Sequence, residues 1–277
     1  MLLNTPFSTL RRSLLPSLLL GALIATAGCA FSPDEGDDIS KWSATKLYNE
    51  AKDALDAGDY ETAIKDLETL EAKYPFGRYA EQAQLDTAYA YFKFDEPDSA
   101  ISAADRFIKL HPRHANVDYA YYLRGLASES KKDNPLDTFL PQDSSLRDPS
   151  STRKSYEYFV ELVTKFPQSR YREDAVLRMG YLRNSLAMHE IHVARYYLQR
   201  HAYVAAVNRA KYVVSNFPRT PASRLALEIL VEGYQQLKMD DLARDAQRVL
   251  DLNKANAAKT DSTPASTTKE AAPSTGA

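Results

Sequence analysis

One spacing constrains this chain more than any other: a small residue followed twelve positions later by proline. It joins Ala63 to Pro75, Ala100 to Pro112, Ser155 to Pro167 and Ala206 to Pro218, and a fifth small residue, Ala243, stands 37 positions after Ala206. Other positions keep step with it. Seven residues after each small residue comes a large apolar one: Leu70, Phe107, Leu162, Val213 and Leu250. Eight residues after each proline comes Ala83, Ala120, Ala175 or Ala226. Twelve residues before the small position stand Ala51, Ala88, Ala194 and Val231, with Gly125 in the same role ahead of the extra residues of the third unit. Proline has no N–H and clashes with the preceding turn, so it stops a helix. A small residue lets two helices approach closely, and the large one fills the seam to the next pair.

A helix–turn–helix unit of this kind cannot bury its apolar faces alone and needs a neighbour on each side. The pattern is that of the tetratricopeptide repeat, a 34-residue unit with alanine and proline at fixed places. The aromatic expected four residues after the alanine occurs once, as Phe159, so the repeats are divergent. The fold expected is all-α: a superhelical tetratricopeptide solenoid of about five helix hairpins over residues 43–253. Hairpin one runs from Ser43 to Tyr74 with Gly58-Asp59 at its turn, and hairpin two from Ala80 to Pro112. Hairpin three starts at Asn116–Ser130 and resumes near Ser151, around an insertion at 131–150 whose Leu136, Phe139 and Leu140 suit a contact site as well as a tolerated loop. Tyr171 to Gln199 reads as one long helix or two nearly continuous ones, hairpin five spans Thr220–Asn253, and the Ala/Thr/Ser/Pro-rich residues 254–277 read as a disordered tail.

Residues 1–28 read as a secretory signal: Arg11 and Arg12, a short apolar run from Leu14 to Ile24, and the exit Thr26-Ala27-Gly28. Cys29, the single cysteine, follows at once and matches the lipidated cysteine of bacterial lipoproteins, although Thr26 replaces the usual leucine. Several acyl chains there would anchor the chain at about 0.8 kcal/mol per buried CH₂. Ala30 is not the aspartate associated with inner-membrane retention, so the outer membrane is the expected destination. Residues 29–42, with Pro33, Gly36 and acidic side chains, read as a lipidated flexible tether. The remaining 33 basic and 37 acidic residues form no basic stripe, which argues against nucleic acid.

Catalytic chemistry has little to stand on. His189-Glu190-Ile191-His192 has the wrong register for a zinc-protease motif and reads as a pair of solvated helix-surface histidines. Nine glycines form no phosphate loop, and no nucleophile elbow occurs. No enzyme activity, cofactor or metal is expected. The first helices carry a more informative set: Tyr48, Lys52 and Leu55; Leu85, Tyr89, Phe92 and Lys93; Tyr119 and Tyr122. Aromatics beside lysines suit an extended peptide with apolar side chains and a free carboxylate, and the same residues also suit inter-repeat core.

The lipoprotein start, the five repeats, NVDYAYYLRGL at Asn116–Leu126, RDP at Arg147–Pro149 and VARYYLQRHAYVAAVNRAKYVV at Val193–Val214 together resemble the BamD family. These are tetratricopeptide lipoproteins of the outer-membrane β-barrel assembly (BAM) machinery. The resemblance implies a non-enzymatic subunit, lipid-anchored on the periplasmic face of the outer membrane. It implies docking to the POTRA domains of the barrel-forming BamA subunit, binding of accessory BAM lipoproteins, and reception of unfolded outer-membrane β-barrel proteins. Residues 43–130 would be the substrate side and 151–253 the partner side. Arg209, in the stretch matching the family's VNR motif, would couple the subunit to BamA. The competing reading is a periplasmic repeat scaffold for envelope or cell-wall proteins.

Overall fold

The computed structural model describes residues 41–130, 145 and 148–261. Over these the chain forms ten helices and no strand. They are α1 (Ala44–Ala57), α2 (Tyr60–Lys73), α3 (Arg78–Lys93), α4 (Pro97–Leu110), α5 (Val117–Ser130), α6 (Ser150–Lys165), α7 (Arg172–Gln199), α8 (Tyr203–Asn216), α9 (Pro221–Gln236) and α10 (Asp240–Asp261). Each packs on the next, and the first helices also touch one another, α1 on α3, α3 on α5 and α7 on α9. This is the stacking of an all-α repeat solenoid.

The spaced positions meet inside. Ala63, Ala100, Ser155 and Ala206 are fully buried, as are the seam residues Leu70, Phe107, Leu162 and Val213. Ser155 can replace alanine because its hydroxyl donates to the Gly125 carbonyl at 2.9 Å, so no polar group is stranded. Before Pro75, Pro112, Pro167 and Pro218 the last helical residues are capped by Tyr74, His111, Phe166 and Phe217, whose N–H groups close the final turn on the seam carbonyls. At the hairpin turns a left-handed residue stands five positions before the small one: Gly58, Asp95, His201 and Lys238. Only the first is glycine, which takes this conformation without steric cost.

The core falls into three clusters. One joins α1, α2 and one face of α3, a second runs from α3 into the first half of α7 through Ala175 and Leu182, and a third begins at Leu186, Ala187, Ile191 and Ala194. The 28-residue α7 is therefore one continuous helix shared by two cores. The final helix continues to Asp261, past the expected end at Asn253, because Lys254, Ala255, Ala257 and Ala258 are strong helix formers. Cys29, Leu136, Phe139, Leu140, the signal, most of the tether and residues 262–277 lie outside the described residues.

Candidate functional site

Four helices bring a continuous set of aromatic and charged groups to the face of the first-helix row. Tyr48 of α1 donates from its hydroxyl to Asp86 of α3 at 3.1 Å and rests against the Tyr79 ring at 5.3 Å. Gln82 donates to the other Asp86 oxygen at 2.9 Å. Burial, only partly offset by these donors and by Lys52, raises the Asp86 carboxyl above its ordinary range. Tyr119 of α5 lies within the fields of Asp86, Tyr89, Tyr122 and Tyr171, and burial pushes its phenol upward. Tyr122 stacks on Tyr171 with centroids 4.7 Å apart and planes 14° from parallel, and Tyr119 meets the same ring at 5.3 Å. Arg170 lies over Tyr171 at 4.8 Å.

The far end of this ladder is fixed by charge. The Tyr122 hydroxyl donates to Asp174, and Arg178 donates to Asp174 at 2.6 Å and to Glu129 at 2.7 Å. Burial and the bond to Asp174 push the Tyr122 phenol up to about 12, so it stays a donor at physiological pH. Burial raises the Asp174 carboxyl, but the bonds from Tyr122 and Arg178 outweigh it and hold the group below its ordinary value. The rings are thus pre-positioned and need not pay rotamer entropy on meeting a ligand.

Not every expected groove residue belongs to it. Leu85 is 2 % exposed and sits in the second core cluster, so a ligand cannot reach it; Leu55 is likewise buried. Helical phase gives a face, but depth depends on how far the neighbouring hairpin overlaps it. Tyr89 packs against both the first and second clusters, while Phe92 is half-buried against the second. Lys93 is exposed and stands 5.9 Å over the Tyr60 ring. Tyr79, Asp86, Tyr171, Asp174 and Arg178 were absent from the expected set. Tyr79 and Tyr171 share one register, four residues before Ala83 and Ala175, and that repeat would have exposed them.

His189 and His192 are not simply solvated. His189 Nδ1 donates to the Ser145 carbonyl at 2.9 Å, and His192 Nε2 lies 2.9 Å from the Ser145 hydroxyl. The pair holds the returning end of the insertion onto α7. Among the described residues no group of three or more His, Cys, Asp or Glu is arranged for a metal ion. No described helix is long and apolar enough to cross a membrane.

Arg209 lies on the outer side of α8, 48 % exposed, while Ala206, Ala210 and Val213 are buried behind it. Its guanidinium already has a carboxylate in the chain, Glu190 of α7, at 3.1 Å. On the last helix, Leu242, Val249 and Leu252 are exposed. The equivalent positions in the first three hairpins are polar or small: Thr62, Thr69 and Ala72; Ser99, Arg106 and Lys109; Lys154, Glu161 and Thr164. The last described hairpin thus carries an apolar outer stripe that the first three hairpins lack.

The family described as outer membrane lipoprotein, YfiO, matches residues 40–249. The chain belongs to the YfiO family. Relatives named outer membrane protein assembly factor BamD extend the match. That of Neisseria gonorrhoeae is 43% identical over 243 residues, covering 87% of this chain and 91% of the relative. That of Vibrio cholerae is 38% identical over 232 residues, covering 84% and 95%. That of Haemophilus influenzae is 33% identical over 234 residues, covering 84% and 89%. The YfiO match includes both the aromatic ladder and the Arg209 region and places the chain among outer-membrane lipoproteins.

Proposed function

We propose that the chain is a lipid-anchored subunit of the β-barrel assembly machinery, facing the periplasm from the outer membrane and assisting insertion of barrel proteins. Membership of the machinery is supported by the YfiO match and the BamD relatives, and the observation that carries peptide binding is the ladder from Tyr48 through Tyr89, Tyr119 and Tyr122 to Tyr171, whose ends are fixed by Asp86, Asp174 and Arg178. An unfolded barrel strand alternates apolar and polar side chains. Its aromatic side chains would meet the rings by stacked or edge contacts, and Lys52 and Arg170 would meet acidic groups or a terminal carboxylate. The binding is non-covalent, and no step of it calls for a cofactor.

The partner side is the second stack. Arg209 and the Leu242–Val249–Leu252 stripe of α10 present a charge and an apolar seam suited to the POTRA domains of the barrel-forming subunit, with accessory lipoproteins on adjoining surface. Cys29 carries the lipid, and the Phe139–Leu140 segment is a further contact. The test is affinity capture from detergent-solubilised outer membranes. Recovery of the barrel-forming subunit supports the reading. Recovery of peptidoglycan-associated proteins alone overturns it in favour of an envelope scaffold. Cys29→Ser should release the protein to the soluble periplasm with its helices intact; retention of that variant on membranes lacking its partners would remove the lipid anchor.

A further inference from the structure

The two ends of the ladder are one arrangement built twice. Tyr48 stands three residues before Ala51, and Tyr122 three residues before Gly125, the matching small position. Their partners Tyr79 and Tyr171 stand four residues before Ala83 and Ala175, and each follows an arginine. That arginine folds back over the ring: Arg78 over Tyr79 at 5.0 Å, Arg170 over Tyr171 at 4.8 Å. Each also donates from Nη2 to the phenol oxygen of its tyrosine, at 3.3 and 2.6 Å. The facing tyrosine is held in turn by a carboxylate, Asp86 for Tyr48 and Asp174 for Tyr122.

Stacking of the hairpins does not require this arrangement. At the junction of hairpins two and three the same three positions hold Leu85, Asn116 and Ala115; at the junction of hairpins four and five they hold Ile191, Ala222 and Pro221. Leu85, Ile191 and Ala222 are buried there, so those junctions close without tyrosine or arginine. The arginine and both tyrosines are present together or absent together. Arg78 and Arg170 are exposed, and neither meets a carboxylate among the described residues. A guanidinium carries five N–H groups in a planar fork, so one bond to a phenol leaves four for an incoming carboxylate. The ring beneath holds the fork in place, which lowers the entropy lost on binding.

We propose that Arg78 and Arg170, each seated on its tyrosine, are a matched pair of carboxylate clamps that read an extended polypeptide at two acidic side chains about six residues apart. The inference rests on the peptide-binding reading of the ladder and names the class of peptide it takes. One clamp lies at the seam of α1 and α3 and the other at the seam of α5 and α7, two first-helix steps away. Packed helices lie about 8–10 Å apart, so the clamps are separated by roughly 20 Å. An extended chain rises about 3.4 Å per residue, and alternate side chains share a face. About six residues therefore span the gap and return a side chain to the same face, whereas five turn it away. The side chains at i+2 and i+4 then fall on the ladder between the clamps, where Tyr89 and Tyr119 stand. A helix is a poor occupant, because six of its residues rise only about 9 Å.

The test uses the full mature chain carrying Cys29→Ser and fluorescein-labelled, C-terminally amidated peptides of about ten residues, with aromatic side chains at i+2 and i+4. One probe has glutamate at i and i+6, a second at i and i+5, a third glutamine at i and i+6. The first is expected to bind about tenfold more tightly than the glutamine probe, and the second to lose most of that gain. Arg78→Gln and Arg170→Gln, at exposed positions without an ion pair to lose, should each cut the gain, and together abolish it, leaving affinity for the glutamine probe unchanged. The clamps are wrong, and the ladder stands, if the glutamine probe binds as well as the first, if the i+5 probe matches the first, or if the gain survives the double substitution. If only a single-glutamate probe ending in a free carboxylate gains, one clamp takes a chain end and the two-side-chain reading falls. If the glutamine probe fails to bind while the first binds through both arginines, the clamps stand and the aromatic ladder reading falls. If no probe binds, both fall.

Discussion

The two stacks that share α7 use one register and fill it differently. In the first, Tyr48, Tyr119, Tyr122 and Tyr171 crowd the first-helix face, with phenols and carboxylates tied to each other. In the second, the core from Leu186 to Leu250 is mostly alanine, valine, leucine and isoleucine. The positions that let helices meet are alike in both, since close approach tolerates little else. The positions the repeat leaves free are where they diverge. An inner face of half-buried tyrosines suits a polar-aromatic chain, while an aliphatic stack with an apolar outer stripe suits docking against a folded partner. Function is written in the residues that the repeat does not dictate.

The strongest way to break this contrast is to strip the ladder. Tyr89, Phe92 and Tyr122 exchanged together for alanine should weaken binding of an aromatic-ended barrel peptide by about 2 kcal/mol or more, through lost stacking and apolar burial. Exchanging Leu242, Val249 and Leu252 for serine should leave that peptide affinity untouched and reduce recovery of the partner subunit. Fluorescence anisotropy and co-purification read the two effects separately. Circular dichroism should first establish that the ladder variant keeps its helices, because Tyr122 also meets Phe159, centroids 5.9 Å apart. A folded ladder variant with undiminished affinity would move the binding face elsewhere.

A second test compares packing. A Cβ at Gly125 would collide with the fully buried Phe159 ring, and one at Gly233 with the Val207 methyl at 2.5 Å. The phenyl ring is walled in by the first stack, whereas the valine is smaller. Gly125→Ala should therefore cost about 2 kcal/mol by overpacking, after the gain in helix propensity, and Gly233→Ala clearly less. Thermal unfolding of the two variants checks the order, and equal losses would show that the stacks are equally rigid at these seams.

The sequence disclosed most of the frame because its cause is local. Ala63, Ala100, Ser155, Ala206 and their prolines follow from helix approach and helix stopping, which need no knowledge of the rest of the molecule. What it hid depends on distant overlap. Leu85 has the helical phase of a groove residue, yet α4 and α5 cover it. Ser145 meets His189 and His192 across 44 and 47 residues, and no periodicity encodes where an insertion returns. Asp174 and Arg178 take their place in the ladder only through Tyr122 and Glu129, 52 and 49 residues away in the chain. The last helix runs to Asp261 rather than to the expected end at Asn253, because alanine and lysine suit a helix and a low-complexity tail alike.

Arg209 sharpens the comparison from the partner side. Its bond to Glu190 joins a half-exposed guanidinium to a carboxylate that is 12 % exposed. As an isolated pair it should contribute under about 1 kcal/mol to folding. Arg209→Leu should therefore change the melting temperature little. If the guanidinium also reaches a carboxylate on the partner, Arg209→Leu should weaken partner binding by more than its effect on stability, and Glu190→Gln should not. Should the two variants behave alike in folding and in partner binding, the arginine serves the solenoid alone.

The smallest effect expected belongs to Asp86, and it separates the stacks by pH. Burial raises the Asp86 carboxyl above its ordinary range even though Gln82, Lys52 and Tyr48 favour the charge. The folded chain thus holds this proton to a higher pH than the unfolded chain does. The stabilisation from that extra proton is complete below the unfolded value near 3.8 and is lost as pH rises through the folded one. Asparagine resembles the protonated form and does not titrate. The melting temperature of Asp86→Asn minus that of the wild type should therefore increase from pH 3.5 to pH 7, whatever its absolute sign, since the variant also exchanges one acceptor for a donor beside Gln82. A difference that stays flat would mean that burial is fully offset by Gln82, Lys52 and Tyr48, so that Asp86 holds its proton no more tightly in the folded chain than in the unfolded one. A difference that falls with pH would mean that Lys52 and the two donors outweigh burial, making that end of the face a pre-formed anion rather than a carboxyl poised to take a proton.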